Sequence, residues 1–450
     1  MNKKYYTILI LAIQIAAGFI YGYVREENAD RIREPRLVGD TEDYFHNAGL
    51  PVFSLEFWTD ARPPITALLW KFAGSDPEAI FKLQLFFSIA SWIALAFAAA
   101  HALKTGWLKP LIFIVTLAFS LSRDIFMWDP FMGSESISLS FMALFLAAAV
   151  WLFAGWATYK AALLVILAFF FAFTRDTNAY ILLMIAGLIS VVFAFSIHRY
   201  KAWMVGGAFL LIFLASSQLS LLGLRPYRAI LMNTSLRIFP SEIYTEYFRQ
   251  HGMPVDDRLV RMARNMQPGE TFAVNMALMF DQDQEEFRQW ALGPGPREYV
   301  RFLWFYKAET FQNVFLETPE ESFYPDVYYY TATGYRPIIA NDRIAEFLYP
   351  TRFGLIFFFA VNLIAAFVAA FAWRDGRALW LIPVLMILLS YPQAVLVWAA
   401  DVNDVARHSI PHNVLMRLGF WFLIFFVADF LLTDLPARMP FLQRLRNPTA

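Results

Sequence analysis

Long apolar segments alternate with short charged ones along most of the chain. A helix needs about 20 apolar residues to cross the hydrocarbon core, and a central charge costs about 2.5 to 3.5 kcal/mol, so charges mark the limits of the spans. Two of the resulting segments, beginning at Pro110 and Ala161, are short. The sequence predicts ten spans: Tyr5–Val24, Ile80–Ala100, Pro110–Ser122, Ile137–Thr158, Ala161–Thr174, Tyr180–Ile197, Ala202–Leu222, Phe353–Trp373, Ala378–Ala400 and Val414–Phe430.

A long polar interval separates the seventh predicted span from the eighth. The pattern therefore predicts an all-α membrane protein with about ten transmembrane helices and a helical domain inserted before the last three. The predicted parts are a seven-span module over 1–222, an extracytoplasmic and mainly helical domain over 223–352, and a three-span module with a C-terminal tail over 353–450. Inside the domain, Asp256 is placed to cap a helix, and 298–317 carries aromatic residues at helical spacing.

The distribution of Lys and Arg orients the predicted spans. Loops on the side of the two termini are basic, which by the positive-inside rule is the cytoplasmic face of a cell (inner) membrane. The loops on the opposite face mix both signs, so most polar residues of interest are expected there. The basic set comprises Lys3, Lys4, Lys104, Lys109, Lys160, Arg199, Lys201, Arg374, Arg377, Arg438, Arg444 and Arg446.

The amino-acid composition excludes several classes of function. The 37 basic residues equal the 37 acidic ones, so no basic excess is present to attract nucleic acid. Cysteine is absent, which excludes disulfides, thiol nucleophiles and Cys-ligated zinc. Hydrophobic residues make up 59% of the chain and aromatic residues 18%, more aromatic side chains than interfacial belts need. Some of them are expected to line a cavity.

The first outer loop, 24–65, holds the most informative acidic cluster. Asp40, Glu42 and Asp43 lie within four residues, and Tyr44 and Ala48 follow Asp40 at intervals of four. On a helix, positions four apart share one face, so Asp40 would begin that face. Two interpretations stay open: helix capping by Asp40 with solvated acids after it, or a catalytic carboxylate near the membrane surface.

Ionisable residues also end several predicted spans at the outer face, where they indicate a watery cavity or a polar partner. Each has a structural alternative, such as local ion pairing, snorkelling to the headgroups, or helix capping beside Ser134. His408 and His412 with Asp404 form an alternative zinc site, which the intervening Pro411 disfavours. The residues expected to line the cavity are Tyr44, Arg62, Arg123, Asp129 and Glu135.

The first outer loop resembles that of the GT-C superfamily of integral membrane glycosyltransferases, which includes the protein O-mannosyltransferases and the lipid A aminoarabinose transferase. The resemblance rests on the cytoplasmic start, the single span before a long outer loop, and the pattern formed by Asp40, Tyr44 and Ala48. Many bacterial members share that D-x-x-x-Y-x-x-x-A pattern. The large outer domain here follows the seventh span, whereas some families of the class carry a soluble domain at the C-terminus.

The resemblance implies an inverting transfer of a sugar from a polyprenyl-phosphate donor to a glycan, lipid or protein acceptor. It implies that Asp40 is the general base, with Glu42 or Asp43 as an accessory acid, a metal ligand or an alternative base. It also implies that Arg175, Arg407 and His408 contact the donor phosphate or sugar. Arginine can neutralise a phosphate, so no cofactor is required and a divalent metal is not favoured.

Two functions of other classes remain as alternatives. A secondary transporter or lipid flippase would use the same polar residues as a permeation path, although such proteins concentrate charges near mid-span and carry broken helices. A non-catalytic assembly protein would bind a partner through its outer domain. An outer cluster of charged loops around one membrane-open cavity favours the enzyme.

Overall fold

The computed structural model describes residues 3–30, 36–37, 39–193, 199–265, 271–324, 338–339, 341–372, 379–402 and 404–438. These residues are mainly helical, which confirms the predicted all-α class. Six of their helices are long and apolar enough to cross a bilayer, so the protein is a multi-pass membrane protein. The predicted C-terminal tail, 439–450, and Asn403 lie outside the described residues.

The first part of the chain forms eleven helices and two short strands. The helices are α1 Lys3–Asp30, α2 Thr41–Gly49, α3 Leu55–Thr59, α4 Pro64–Phe72, α5 Pro77–Ala102, α6 Leu108–Ser120, α7 Arg123–Phe126, α8 Glu135–Ala154, α9 Thr158–Ala172, α10 Asp176–Phe193 and α11 Arg199–Leu222. The strands, β1 Arg36–Leu37 and β2 Phe131–Met132, pair in parallel with Arg36 opposite Phe131.

Helix α8 lies at the centre of this part. It is apolar on all sides, as expected of a helix surrounded by others, and most of its side chains are buried. It packs against α5, where the Phe87 and Phe141 rings lie 4.8 Å apart, and against α9, where Phe145 stacks on Phe171 at 5.7 Å. These aromatic contacts fix the positions of the helix ends that carry the polar loops.

The inserted helices follow α11 and surround a small hydrophobic core of their own, formed by residues between Ile230 and Phe302. The predicted capping by Asp256 is confirmed, because its carboxylate accepts a hydrogen bond from the Arg258 amide at 2.8 Å. These helices are α12 Arg225–Asn233, α13 Glu242–Gln250, α14 Asp257–Arg264, α15 Thr271–Phe280, α16 Glu285–Leu292, α17 Gly295–Phe305, α18 Lys307–Gln312, α19 Pro319–Phe323 and α20 Asp342–Leu348.

Three short irregular turns complete the inserted helices: π-turns over Thr234–Ile238 and Asn313–Glu317, and a 3₁₀ turn over Gln282–Gln284. The helix predicted over 298–317 is therefore divided, with a break at Tyr306 and a π-turn at its end. Val314 and Phe323 belong to the core of the membrane bundle rather than to the small core. The last inserted helices thus pack on the spans.

The chain ends in α21 Arg352–Ala372, α22 Leu381–Ala400, α23 Val405–His408 and α24 Ile410–Arg438. Helices α22 and α24 pack together, while α24 also contacts α6 and α22 contacts α10, which joins this part to the first. Apolar helices lie at all of the predicted span positions in the described chain. In four of them, α6, α9, α10 and α21, the apolar stretch among the described residues is only 10 to 17 residues long, and the count of ten spans stays a prediction.

Candidate functional site

Two short helices lead to the polar loops at one end of the bundle, here called the site end. Helix α6 has 13 residues and α9 has 15, so they are about 20 and 22 Å long at 1.5 Å per residue. The hydrocarbon core is about 30 Å thick. Both helices are shorter than this thickness, and the polar segments that follow them begin at Ser122 and Thr174.

The first two loops of the site end are joined by backbone pairing. The amide of Arg36 donates to the carbonyl of Pro130 at 2.8 Å, in register with the β1–β2 pair. Five residues later, the Thr41 hydroxyl donates to the carbonyl of Met132 at 2.7 Å. These bonds hold the start of α2, and with it Asp40, against the loop that precedes Glu135.

Asp40 occupies the N-cap position of α2, but its side chain makes no capping hydrogen bond. Instead one carboxylate oxygen accepts from Arg62 at 2.6 Å and the other from Arg407 at 3.1 Å. The simple capping interpretation is therefore wrong for this side chain. It is 19% exposed and bridges two arginines that lie 345 positions apart in the sequence, since 407 − 62 = 345.

Arg407 contacts three carboxylates at once. Its guanidinium reaches Asp40 at 3.1 Å, Glu135 at 3.3 Å and Asp404 at 2.5 Å. The side chain is only 9% exposed, so these contacts lie in a poorly solvated place where charge interactions are strong. Arg407 consequently connects the first loop, the start of α8 and the last loop.

Arg175 and His408 extend the same network. Arg175 lies 3.3 Å from Glu135 and donates to Nδ1 of His408 at 2.9 Å. The other ring nitrogen, Nε2, is 2.9 Å from Asp401. Because Arg cannot accept a hydrogen bond, this arrangement fits an imidazole that accepts at Nδ1 and donates at Nε2. The members of this ionic cluster are Asp40, Arg62, Glu135, Arg175, Asp401, Asp404, Arg407 and His408.

The ionic cluster holds Asp40 in its charged form. Burial alone would raise the pKa of the Asp40 carboxyl, but the guanidiniums of Arg407 and Arg62 outweigh burial and bring the pKa below its usual value. Tyr44, on the same face of α2, is buried, and burial raises the pKa of its phenol. The site thus places an ionised carboxylate beside a neutral phenol.

Two buried polar atoms of the ionic cluster have no hydrogen-bond partner among the described residues: Nη1 of Arg175 and Oε2 of Glu135. Arg175 is 6% exposed and Glu135 2%. Leaving a charged group partly unpaired in a buried place costs free energy, and such groups in native proteins call for a bound partner or a function. Arg175 therefore offers an N–H donor to an anion, and Glu135 offers an acceptor.

The inserted helices attach to the site through α12. Arg228 lies 3.1 Å from Asp43, which also pairs with Arg62 at 3.0 Å, and Arg225 lies 2.7 Å from Asp176. Arg225 also donates to the carbonyl of Asp60 at 2.9 Å. Asp43 therefore helps to hold Arg62 in place, and α12 packs against one side of the first loop. The sequence analysis did not single out either arginine of α12.

Glu42, considered as an accessory acid, and two of the expected cavity residues lie away from Asp40. Glu42 points to solvent on the exposed face of α2. Arg123 lies in α7, where its charge acts on Tyr349. Asp129 is buried against Arg25 of α1, so it faces the bundle rather than Asp40.

Arg25 is a residue that sequence reasoning missed. It donates to Asp129, to the Tyr21 hydroxyl at 2.8 Å and to the Ser88 hydroxyl at 2.7 Å. Asp129 in turn accepts from the Ser136 hydroxyl at 2.8 Å. This buried network fixes the loop that ends at Glu135. The sequence does contain a signal for it. Arg25 directly follows the first predicted span, and Tyr21, four residues earlier, lies on the same helix face.

His408 and His412 have different partners in the structure. His408 faces Asp401 and Arg175, whereas Nε2 of His412 donates to the carbonyl of Ser322 at 2.8 Å. Among the described residues, no group of three or more His, Asp and Glu side chains is placed to hold a metal ion. The chemistry that the site offers is that of a carboxylate base beside arginine donors.

The chain was compared with models of protein families, with curated proteins and with solved structures, and none of the three comparisons gave a match.

Proposed function

We propose that the protein is a GT-C-type glycosyltransferase that transfers a sugar from a polyprenyl phosphate to an acceptor hydroxyl at the outer face of the cell membrane. The observation that carries the proposal is the ionic cluster itself. Three separate loops bring one carboxylate, Asp40, into a network with Arg175 and Arg407, joined through Glu135 at the start of α8. A lipid-linked phosphate sugar presents its anion and its reactive carbon at that membrane boundary.

The proposed reaction needs a base and a site for an anionic leaving group. The acceptor oxygen forms a bond to the anomeric carbon of the sugar, and its proton passes to the carboxylate of Asp40. The bond between that carbon and the phosphate oxygen breaks, and the electron pair leaves with the polyprenyl phosphate. Attack opposite the leaving group inverts the anomeric centre. Positioned donors stabilise the charge that develops on the phosphate.

Arg175 and Arg407 are the proposed phosphate contacts. Nη1 of Arg175 has no partner among the described residues and is buried, so it can donate to a phosphate oxygen without breaking an existing bond. Arg407 already contacts Asp40, Glu135 and Asp404. A phosphate that takes one of its N–H groups would release Asp40 from one of its two ion pairs, which makes the carboxylate a stronger base.

Replacing Asp40 by Asn tests the role of the base. The variant keeps the size of the side chain and removes its proton-accepting charge, so we expect transfer to fall by about 10²- to 10⁴-fold while donor binding persists. The assay uses purified protein in liposomes, a panel of polyprenyl-phosphate sugars, and cell-envelope membranes as acceptor. Folded yield and thermal unfolding are measured for each variant.

Glu42→Gln is the matched control, because it removes an exposed acid two residues away. We expect transfer close to that of the unmodified protein. Full activity in a well-folded Asp40→Asn protein, or a loss confined to Glu42→Gln, would remove Asp40 from the mechanism. If no donor of the panel is bound or consumed by the unmodified protein, the proposed function itself is wrong.

A further inference from the structure

The segment from Gly295 to Glu317 carries an apolar face that no described residue covers. Val300 and Trp304 lie four residues apart in α17 and are 66% and 73% exposed, and Phe311 of α18 and Leu316 of the following π-turn are 57% and 70% exposed. The opposite face, with Phe302, Thr310 and Val314, is buried. Most surface helices show the reverse, with polar residues outside.

The course of this segment can be followed along α22. At its start, the Tyr299 hydroxyl donates to the carbonyl of Ala399, close to the end of α22. At its finish, the Phe315 ring lies 6.1 Å from the ring of Tyr391. Tyr391 precedes Ala399 by eight residues, or about 12 Å along a helix. The segment therefore descends beside a predicted span by about 12 Å.

The lower end of the segment is anchored to the bundle. The carbonyl of Ser322 accepts from His412 at 2.8 Å and from Asn413 at 2.7 Å, and the carbonyl of Phe323 accepts from Arg417 at 2.7 Å. All three donors belong to α24. These bonds fix α19 at the depth of the spans rather than above them.

The neighbouring surface is also apolar. Phe359 of α21 lies 6.5 Å from the same Tyr391 ring, and Ile356, Phe357 and Leu363 of α21 are each 64% exposed. The uncovered face of the segment is thus continuous with the uncovered face of an apolar helix. Lys307 lies 4.5 Å from the Trp304 ring, a pairing suited to the membrane interface because Trp and Lys both combine an apolar body with a polar tip.

We propose that residues 295–317 form a lipid arm, whose exposed apolar face lies among the acyl chains and headgroups of the leaflet at the site end. Trp304 and Lys307 lie at the interface, and Phe311 and Leu316 lie deeper. Helix α19, which follows the arm, lies next to α23, since the Ser409 hydroxyl donates to the carbonyl of Glu321 at 3.1 Å. This inference does not depend on the proposed reaction.

The absence of cysteine allows a direct test with single-cysteine variants of the full chain. Trp304→Cys and Leu316→Cys report on the apolar face, and Arg301→Cys, whose side chain is 52% exposed beside Glu298, is the matched control. Each variant is labelled with an environment-sensitive fluorophore and reconstituted in phospholipid nanodiscs. Quenching is measured with aqueous iodide and with lipids that carry a doxyl group near the headgroup or deep in the acyl chain.

The lipid arm predicts strong quenching by doxyl lipids and weak quenching by iodide at 304 and 316, with the deeper doxyl group more effective at 316. The control at 301 should be quenched by iodide. Iodide quenching at 304 and 316 equal to that at 301 would show that the face lies in water. Protection from both quenchers would show that protein covers it. Either result overturns the proposal.

Discussion

At the scale of single residues, Arg407 joins three carboxylates of the site. Its guanidinium is shared among Asp40, Glu135 and Asp404 and is nearly buried. Removing one member of a buried charge network leaves the charges of its partners uncompensated. This cost favours the geometry in which all members are paired. A ligand that brings its own negative charge to Arg407 competes with these carboxylates. In the proposed reaction, a phosphate that pairs with Arg407 would release Asp40 from one of its two ion pairs.

The lowered pKa of Asp40 predicts a specific dependence of stability on pH. Its arginine partners favour the charged form in the folded protein, so the carboxyl contributes stability above its unfolded pKa of about 3.9 and loses it as pH falls through the lower folded value. Thermal unfolding in detergent, measured from neutral pH down to about pH 3, should show this loss below about pH 4. Asp40→Asn should be less stable at neutral pH and should lose less on acidification.

The same titration in Glu42→Gln is the reference, because Glu42 is exposed. An Asp40→Asn protein that matches the reference at every pH would show that the two ion pairs of Asp40 contribute nothing to the folded state.

Sequence reasoning found most of the ionic cluster because ionisable residues at the ends of apolar segments are costly and conspicuous. Glu135, Arg175 and Arg407 were recognisable in that way, and Asp40 from the acidic cluster of the first outer loop. Their partners were not. Local sequence does not show that Arg62 and Arg407 reach the same carboxylate, nor that Asp129 turns away from the site toward Arg25.

At the scale of elements, the lengths of the helices shape the site. The sequence correctly indicated short apolar segments at α6 and α9, because charges interrupt them early. It ended the first span at Val24, since a charge follows, whereas α1 continues to Asp30. The helix continues because Arg25 has buried partners on α5 and on the loop before α8. A partner that lies far away in sequence thus changes where a helix ends.

The Arg25–Asp129 pair should be important for the stability of the bundle. Replacing Arg25 by Met leaves the buried Asp129 without its counter-charge, and we expect a loss of about 3 to 5 kcal/mol. Replacing both residues, as Arg25→Met with Asp129→Leu, removes both charges and should recover much of that loss. Thermal unfolding in the same detergent gives the comparison. A single variant as stable as the unmodified protein, or a double variant no better than the single one, would contradict this role.

At the scale of the whole molecule, equal numbers of acidic and basic residues are unequally distributed. The ionic cluster joins the loop before α2, the starts of α8 and α10, and the loop before α24 into one site. The small core of the inserted helices lies apart from it, while α12 and α19 contact the site from opposite ends of the inserted segment. The sequence predicted that these loops lie at one end of the bundle, where the structure brings them together. It did not predict that the inserted helices divide between a separate core and the bundle.

The central claim is that the ionic cluster binds a lipid-linked phosphate. Native mass spectrometry of the purified protein with added polyprenyl phosphate measures this directly. We predict a one-to-one complex that weakens at least about tenfold in Arg175→Ala and in Arg407→Ala, consistent with the loss of a charge-assisted hydrogen bond, while the exposed Arg258→Ala binds as the unmodified protein does. Each variant is first shown to be folded by thermal unfolding. Absence of the complex, or equal binding by all folded variants, would contradict the claim.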